Sequence, residues 1–117
     1  MLTSKEIAHL AVKALDDKLA RDIQILKTDK VTVLADYFIL CTAGNSTHGK
    51  TLADEVDKVL SQAGEPPLRR AGYRSGGWTL LDFGCVVVHI FSEEMRSFYS
   101  LDRLWSDAEK IDYKDFL

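Results

Sequence analysis

Two apolar segments separated by Phe83-Gly84 constrain the fold of this 117-residue chain more than any other feature. Glycine supplies the positive φ that tight hairpin turns need, so we predict an antiparallel hairpin with Phe83-Gly84 as its two-residue turn. Pairing outward from this turn places Leu80 opposite Val87 and Trp78 opposite His89. The fold must therefore be built around a β-sheet that contains this hairpin.

The hairpin has two chemically different faces, because side chains alternate along a strand. One face is almost entirely aliphatic and is predicted to lie under helices: Thr79, Leu81, Val86, Val88 and Ile90. The other face mixes aromatic and aliphatic side chains with a carboxylate and an imidazole: Trp78, Leu80, Asp82, Cys85, Val87, His89 and Phe91. This mixed face is either core, covered by the C-terminal part of the chain, or a surface left open for a partner.

The segment after the hairpin favours the open surface. Ser92 is predicted to N-cap a short helix whose first turn holds Glu93 and Glu94, where the helix dipole stabilises carboxylates. Aromatic and acidic residues follow, which suits a basic protein surface better than a nucleic acid. Because Trp and Tyr dominate interface hot spots, we predict a protein-binding site made of Trp78, Leu80, Asp82, Tyr99, Leu101, Asp102 and Trp105.

Composition argues against several functional classes. The formal net charge of −3 gives no broad positive surface, so we expect little direct contact with nucleic acid. No apolar run approaches the roughly 20 residues of a membrane span, and the N-terminus lacks a secretory pattern, so a cytoplasmic protein is expected. His9, His48 and His89 lack metal-ligand spacing, and neither a metal nor a cofactor is predicted. Cys41 and Cys85 fall in predicted strands and are expected to be buried thiols.

The rest of the chain predicts a single compact α/β domain with a mixed β-sheet and flanking helices. A capping box, Thr3-Ser4-Lys5-Glu6, begins a helix that continues to about Lys18. Strands at 22–27 and 37–43 precede a second helix, N-capped by Ser46 or Thr47, and a short strand at 68–73 follows it. We assign residues 1–108 to one domain and residues 109–117 to a loosely packed C-terminal tail.

Gly44–Thr51 matches the phosphate-loop pattern G-x-x-x-x-G-K-[ST] between a predicted strand and a predicted helix. The alternative function is therefore a small nucleotide-binding or nucleotidyl-transferring enzyme, in which Lys50 contacts phosphate and Thr51, with Asp82, holds Mg²⁺. We favour a plain strand-to-helix turn. The predicted helix already contains Gly49 in its first turn, which leaves no wide loop, and Asp82 stands beside a hairpin turn.

In combination, these segments resemble the ribosomal silencing factor family, also called the Iojap-related family. The resemblance covers nearly the whole chain and is carried by 35–38, 44–46, 53–56, Trp78, 81–84, 86–91, Arg96, Phe98, Tyr99, Leu101, Leu104, Trp105, Asp107 and Ala108. Three positions depart from the family pattern. Cys85 stands where an acidic residue is usual, Ser106 where glycine is usual, and Gly49 where bulkier residues are usual.

The resemblance implies a nucleotidyltransferase-like α/β fold without the catalytic carboxylates of those enzymes. It also implies binding to a protein on the intersubunit face of the large ribosomal subunit, which blocks joining of the small subunit and lowers translation when nutrients are scarce. Members of the family can form homodimers when free.

We therefore predict a non-enzymatic translational repressor that acts by steric occlusion. Trp78 and Leu80 would be its apolar anchors, extended by Tyr99, Leu101 and Trp105. An acidic rim would surround them, formed by Asp82, Glu93, Glu94 and Asp102. A ribosome-assembly adaptor that uses the same surface without blocking subunit joining remains open.

Overall fold

The computed structural model describes residues 2–28, 35–72, 77–99 and 109–117. Along the chain the elements are α1 (Ser4–Asp17), β1 (Arg21–Lys27), β2 (Tyr37–Ala43), α2 (Ser46–Gln62), β3 (Arg69–Gly72), β4 (Trp78–Asp82), β5 (Val86–Ser92), α3 (Glu93–Tyr99), β6 (Glu109–Ile111) and a 3-10 helix, Tyr113–Phe116. The strands form one six-stranded sheet in the order β3-β4-β5-β2-β1-β6. Within this described sheet only β2 and β5 pair in parallel. The predicted α/β domain with a mixed sheet is confirmed.

Helices α1 and α2 cover one face of the sheet and enclose the main core. The predicted capping box begins α1: the Glu6 amide donates to Thr3 Oγ1 at 3.1 Å, and the Thr3 amide donates to Glu6 Oε1 at 3.0 Å. Apolar side chains from both helices then pack on the aliphatic face of the hairpin, where Leu81, Val86, Val88 and Ile90 are buried. The prediction that this face lies under helices is confirmed.

The hairpin turn is Gly84-Cys85, not the predicted Phe83-Gly84. The Phe83 amide donates to the Val86 carbonyl oxygen, and Asp82 lies opposite Val87. Gly84 has φ +87°, and no positive φ occurs at Cys85, as in a type II′ turn. Both primed turns need a positive φ at their first central position, so glycine and not phenylalanine must stand there.

This correction moves the turn by one residue and the strand pairing by two. Trp78 therefore lies opposite Phe91, and Leu80 lies opposite His89. Because the side-chain period of a strand is two, a shift of two residues keeps every side chain on its predicted face. The predicted faces are right, whereas the predicted partners across the strands are wrong.

The connection between β2 and α2 is a tight turn. The N-cap of α2 is Asn45, not the predicted Ser46 or Thr47, and its side-chain oxygen accepts from the His48 amide at 2.8 Å. Only Gly44 and Asn45 separate the two elements, and Gly49 is a buried helical residue. The strand pairings place Asp82 beside Val87 and the Gly44 turn beyond Ser92, which lies roughly 16 Å further along β5. This geometry disfavours the phosphate-loop reading.

The C-terminal residues are not the loosely packed tail that was expected. Strand β6 pairs antiparallel with β1 and forms an edge of the sheet. The Phe116 ring is 5% exposed and packs edge-on against Tyr37, with ring centroids 5.7 Å apart. His9 of α1 also donates through Nδ1 to the Phe116 carbonyl oxygen. The chain end is thus tied to the sheet, to the core and to α1.

Replacing Leu19 with glycine is expected to stabilise the fold by about 0.5–1 kcal/mol. Leu19 follows α1 with φ +64° and is 79% exposed, so its side chain contributes little packing while its Cβ strains the backbone. The Leu19 and Ala20 amides close the helix onto the carbonyl oxygens of Asp16 and Leu15, a Schellman end that favours glycine. Urea unfolding measures the gain. Leu19→Ala is the control, and an equal gain from it would contradict backbone strain as the cause.

Candidate protein-binding site

Strand β4 presents Trp78, Leu80 and Asp82 on the sheet face opposite α1 and α2. All three side chains are half-buried. The Trp78 ring stacks on Phe91, with centroids 5.2 Å apart and an interplanar angle of 29°. Phe91 is 1% exposed and forms a firm base for this ring. The predicted mixed face therefore contains a rigidly supported tryptophan.

Helix α3 covers part of this same face. Leu26, Leu40 and Phe91 form a small second core, and Met95 of α3 packs against it together with Phe38 and Trp78. Ser92 caps α3 as predicted, accepting from the Met95 amide at 3.2 Å. Arg96 fastens the helix to the sheet by donating to Thr42 Oγ1 at 3.1 Å and to the Asp22 carbonyl oxygen at 3.2 Å. The centre of the mixed face is thus core, as one reading predicted, whereas its margin toward β3 is only half-buried. That this margin binds a partner stays a prediction.

The open margin contains a shallow groove of about 300 Å³, lined by Ala71, Gly72, Trp78 and Leu80. Strand β3 forms one wall and is an edge of the sheet, with all four residues exposed. Ala71 and Gly72 of β3 are small, and they line the groove together with the half-buried Trp78 and Leu80 side chains. An apolar groove beside an aromatic ring is the geometry in which interface anchors are found.

His89 is a buried polar residue of this face. It is 5% exposed, lies opposite Leu80, and accepts at Nδ1 a hydrogen bond of 3.2 Å from the Trp78 indole Nε1. Its ring also contacts Phe38 edge-on at 5.3 Å. Burial lowers the pKa of His89 to about 4, because the imidazolium loses hydration, although the Asp82 carboxylate partly opposes this shift. The ring is therefore neutral at pH 7.

Three of the four carboxylates expected to form an acidic rim lie in the described part of the chain, and basic residues lie near two of them. Glu93 and Glu94 are exposed in the first turn of α3, but Glu93 forms an ion pair of 2.9 Å with Arg21. Asp82 accepts from the Gly84 amide at 2.8 Å and lies across the strands from Arg69. Asp82 therefore helps to hold the hairpin turn, and Glu93 helps to hold α3 against β1.

Four of the predicted site residues fall wholly or partly outside the described part of the chain. Tyr99 is the last residue of α3, and its side chain is among those not described. Leu101, Asp102 and Trp105 lie in 100–108, which is also outside the described residues. The structure thus brings together Trp78, Leu80 and Asp82, and the other four stay predictions.

Sequence reasoning missed the residues that support Trp78. Phe91 was left without a role, because the predicted register placed Trp78 opposite His89 and not opposite Phe91. Ala71 and Gly72 line the groove because β3 pairs with β4, a pairing that was not predicted. One signal in the sequence did point to the right register: a type II′ turn requires glycine at its first central position.

The two cysteines differ in their surroundings. Cys41 is buried in β2, and burial raises its pKa to about 12. Cys85 is half-buried in the hairpin turn, so its predicted position in a strand is wrong, and partial burial raises its pKa as well. Neither thiol is activated as a nucleophile would be.

Among residues 2–28, 35–72, 77–99 and 109–117, no three His, Cys, Asp or Glu side chains lie close enough together to hold a metal ion. The helices in this part of the chain are also too short or too polar to cross a membrane.

Comparison with known proteins identifies the family. The family model described as "Ribosomal silencing factor during starvation" matches residues 1–117. The ribosomal silencing factor of Halalkalibacterium halodurans is 34% identical to the chain, over 95% of this chain and 95% of that protein. The ribosomal silencing factor of Chromobacterium violaceum is 38% identical, over 86% of this chain and 83% of that protein. A crystal structure of a Chromobacterium violaceum protein superposes with a TM-score of 0.87 at 36% identity, over 90% of this chain and 88% of that one. The family model and these relatives show that the chain belongs to the ribosomal silencing factor family.

Proposed function

We propose that this chain is a translational repressor that binds a protein on the intersubunit face of the large ribosomal subunit. While bound, it occupies space that the small subunit needs, so the two subunits cannot join. The observation that carries the proposal is the half-buried Trp78 ring, held on Phe91 at the edge of an apolar groove, in a chain of the ribosomal silencing factor family.

Family membership supports a role in regulating translation at the ribosome rather than a catalytic one. Relatives in several bacteria carry the name ribosomal silencing factor, and one plant relative is named Iojap. Steric occlusion needs no reaction, only an affinity sufficient to hold the factor where the small subunit would bind.

The Trp78 surface has the physical properties of a protein anchor. A stacked ring loses little conformational freedom on binding, and Leu80 extends its apolar area into the groove. Glu94 and Asp82 contribute negative charge near this surface, although Arg69 and Arg21 offset part of it. We therefore propose an apolar contact at the centre with polar contacts around it.

Light scattering of mixed large and small ribosomal subunits tests the proposal. Purified protein at a near-stoichiometric ratio to large subunits is expected to abolish the rise in scattering that accompanies subunit joining. An unchanged rise, with the protein still bound to large subunits, would contradict occlusion and favour an assembly adaptor. Failure to bind large subunits would contradict the whole proposal, and nucleotide-dependent thermal stabilisation would then become the next measurement.

Replacing Trp78 with alanine is expected to weaken binding to large subunits by at least about 2 kcal/mol, roughly 30-fold, as for a hot-spot residue. Cosedimentation measures the affinity, and circular dichroism checks that the variant is folded. Leu19→Ala is the control, because it truncates an apolar side chain that is 79% exposed at the end of α1, a helix on the other face of the sheet. If both variants bind as tightly as the wild type, Trp78 is not an anchor.

A further inference from the structure

His89 contacts the one polar side-chain atom of Trp78, the proposed anchor. The Trp78 indole nitrogen lies 3.2 Å from His89 Nδ1, and the two ring centroids are 6.0 Å apart. The two residues are diagonal neighbours on adjacent strands, because Trp78 lies directly opposite Phe91. Diagonal pairs of large rings are within reach of one another on a sheet face.

The chemistry of the two rings fixes their roles. An indole N–H can only donate a hydrogen bond, so Nδ1 of His89 must carry a lone pair. A neutral imidazole with this acceptor holds its proton on Nε2. Burial favours the neutral form, which keeps the acceptor available near pH 7.

Trp78 is consequently held in two directions. Phe91 supports the flat face of its ring, with an angle of 29° between the planes. His89 holds the N–H edge of the same ring. The hydrogen bond distinguishes the edge of the indole that carries the nitrogen from its other edges, which stacking on Phe91 does not do.

His89 is itself fixed by its surroundings. It is 5% exposed, its plane lies within 10° of the Phe91 plane, and Phe38 contacts it edge-on. Leu80, the second proposed anchor, lies directly across the strands from it. A ring packed in this way can hold the hydrogen-bonded Trp78 indole in one orientation.

We propose that His89 is a positioning residue for the partner-binding surface: by accepting from the Trp78 indole N–H, it holds that ring in the orientation that the partner binds. The inference rests on the proposed function of Trp78 as an anchor. Holding a side chain in its bound conformation before contact improves affinity, because less freedom is lost on binding.

Two substitutions separate the hydrogen bond from simple packing. His89→Leu fills a similar volume without an acceptor, and His89→Asn places a carbonyl oxygen near the position of Nδ1. We expect His89→Leu to weaken binding to large subunits about fivefold, and His89→Asn to restore most of the loss. Equal binding by both variants, whether weak or strong, would overturn the positioning role.

The indole N–H resonance of Trp78 in proton–nitrogen NMR spectra reports the hydrogen bond directly. Trp78→Phe identifies this signal against that of Trp105 and removes the donor while keeping an aromatic ring. The signal is expected to shift in His89→Leu and to return toward its wild-type position in His89→Asn. An unshifted signal in His89→Leu would overturn the proposal.

A double-mutant cycle distinguishes failure of this inference from failure of the proposed function. In the Trp78→Phe background, His89→Leu should change affinity by less than about twofold, because the bond it removes is already absent. A full fivefold loss in that background would show that His89 acts by another route. Undiminished binding of Trp78→Ala would instead refute the anchor itself, whatever the His89 variants do.

Discussion

Replacing Phe116 with alanine is expected to lower the free energy of unfolding by about 3–5 kcal/mol, the range for a buried phenylalanine. So large a loss is unusual for a residue this close to a chain terminus, where side chains are ordinarily dispensable. Phe116 is 5% exposed, packs edge-on against Tyr37, and belongs to the main core. Its removal leaves a cavity that α1 and β2 cannot readily close. Urea unfolding followed by circular dichroism measures the loss.

The neighbouring residue provides the control for this prediction. Leu117 is 48% exposed, so Leu117→Ala should change stability by no more than about 0.5 kcal/mol. A difference of several kcal/mol between the two variants would establish that the chain end is part of the core. Equal, small losses would mean that residues 109–117 contribute little, as first expected from their sequence.

Acid is expected to destabilise the fold through His89, by about 3 kcal/mol between pH 6.5 and pH 4. The pKa of His89 is lowered from 6.5 to about 4 in the folded chain, chiefly by burial. Between these two values the unfolded chain binds a proton at this residue and the folded chain does not. Falling pH therefore favours the unfolded chain, whereas the full stability is present above pH 6.5.

Comparison of the wild type with His89→Asn isolates this contribution. The variant cannot titrate at position 89, while the remaining ionisable groups are the same in both proteins. The difference between their free energies of unfolding should be constant above pH 6.5 and should change progressively below it, to the disadvantage of the wild type. A pH-independent difference would mean that His89 has an ordinary pKa. The Asp82 carboxylate raises the pKa of His89, so Asp82→Asn should lower that pKa further and extend the loss of stability to lower pH.

The sequence predicted which residues share the face of the candidate site, but not which side chains pack against Trp78. Alternation along β4 placed Trp78, Leu80 and Asp82 together, because alternation depends only on the local backbone. The partners of Trp78 depend on the register, which a single turn residue decides. A hairpin centred one residue earlier would have set Trp78 against His89 instead of Phe91.

The sequence also could not predict how much of that face α3 covers. Helix α3 was predicted from the Ser92 cap and its acidic first turn, and that cap is present. Which part of the sheet the helix covers depends on Met95 and Arg96 meeting β2 and β5, which are distant in sequence from each other. Trp78 and Leu80 thus lie at the margin of a covered region, a position that a one-dimensional pattern cannot reveal.

The sequence by itself determined the elements whose signals are local: the capping box at Thr3 and Glu6, the alternation of β4 and β5, the cap of α3, and the family resemblance. The tertiary structure decided the hairpin register, the groove beside β3, and the attachment of β6 and Phe116. The physical reason is the range of the interactions. Caps and alternation arise within a few residues, where sequence order implies proximity. Strand β6 pairs with β1 from the other end of the chain, and that contact exists only because the whole core brings the two strands together.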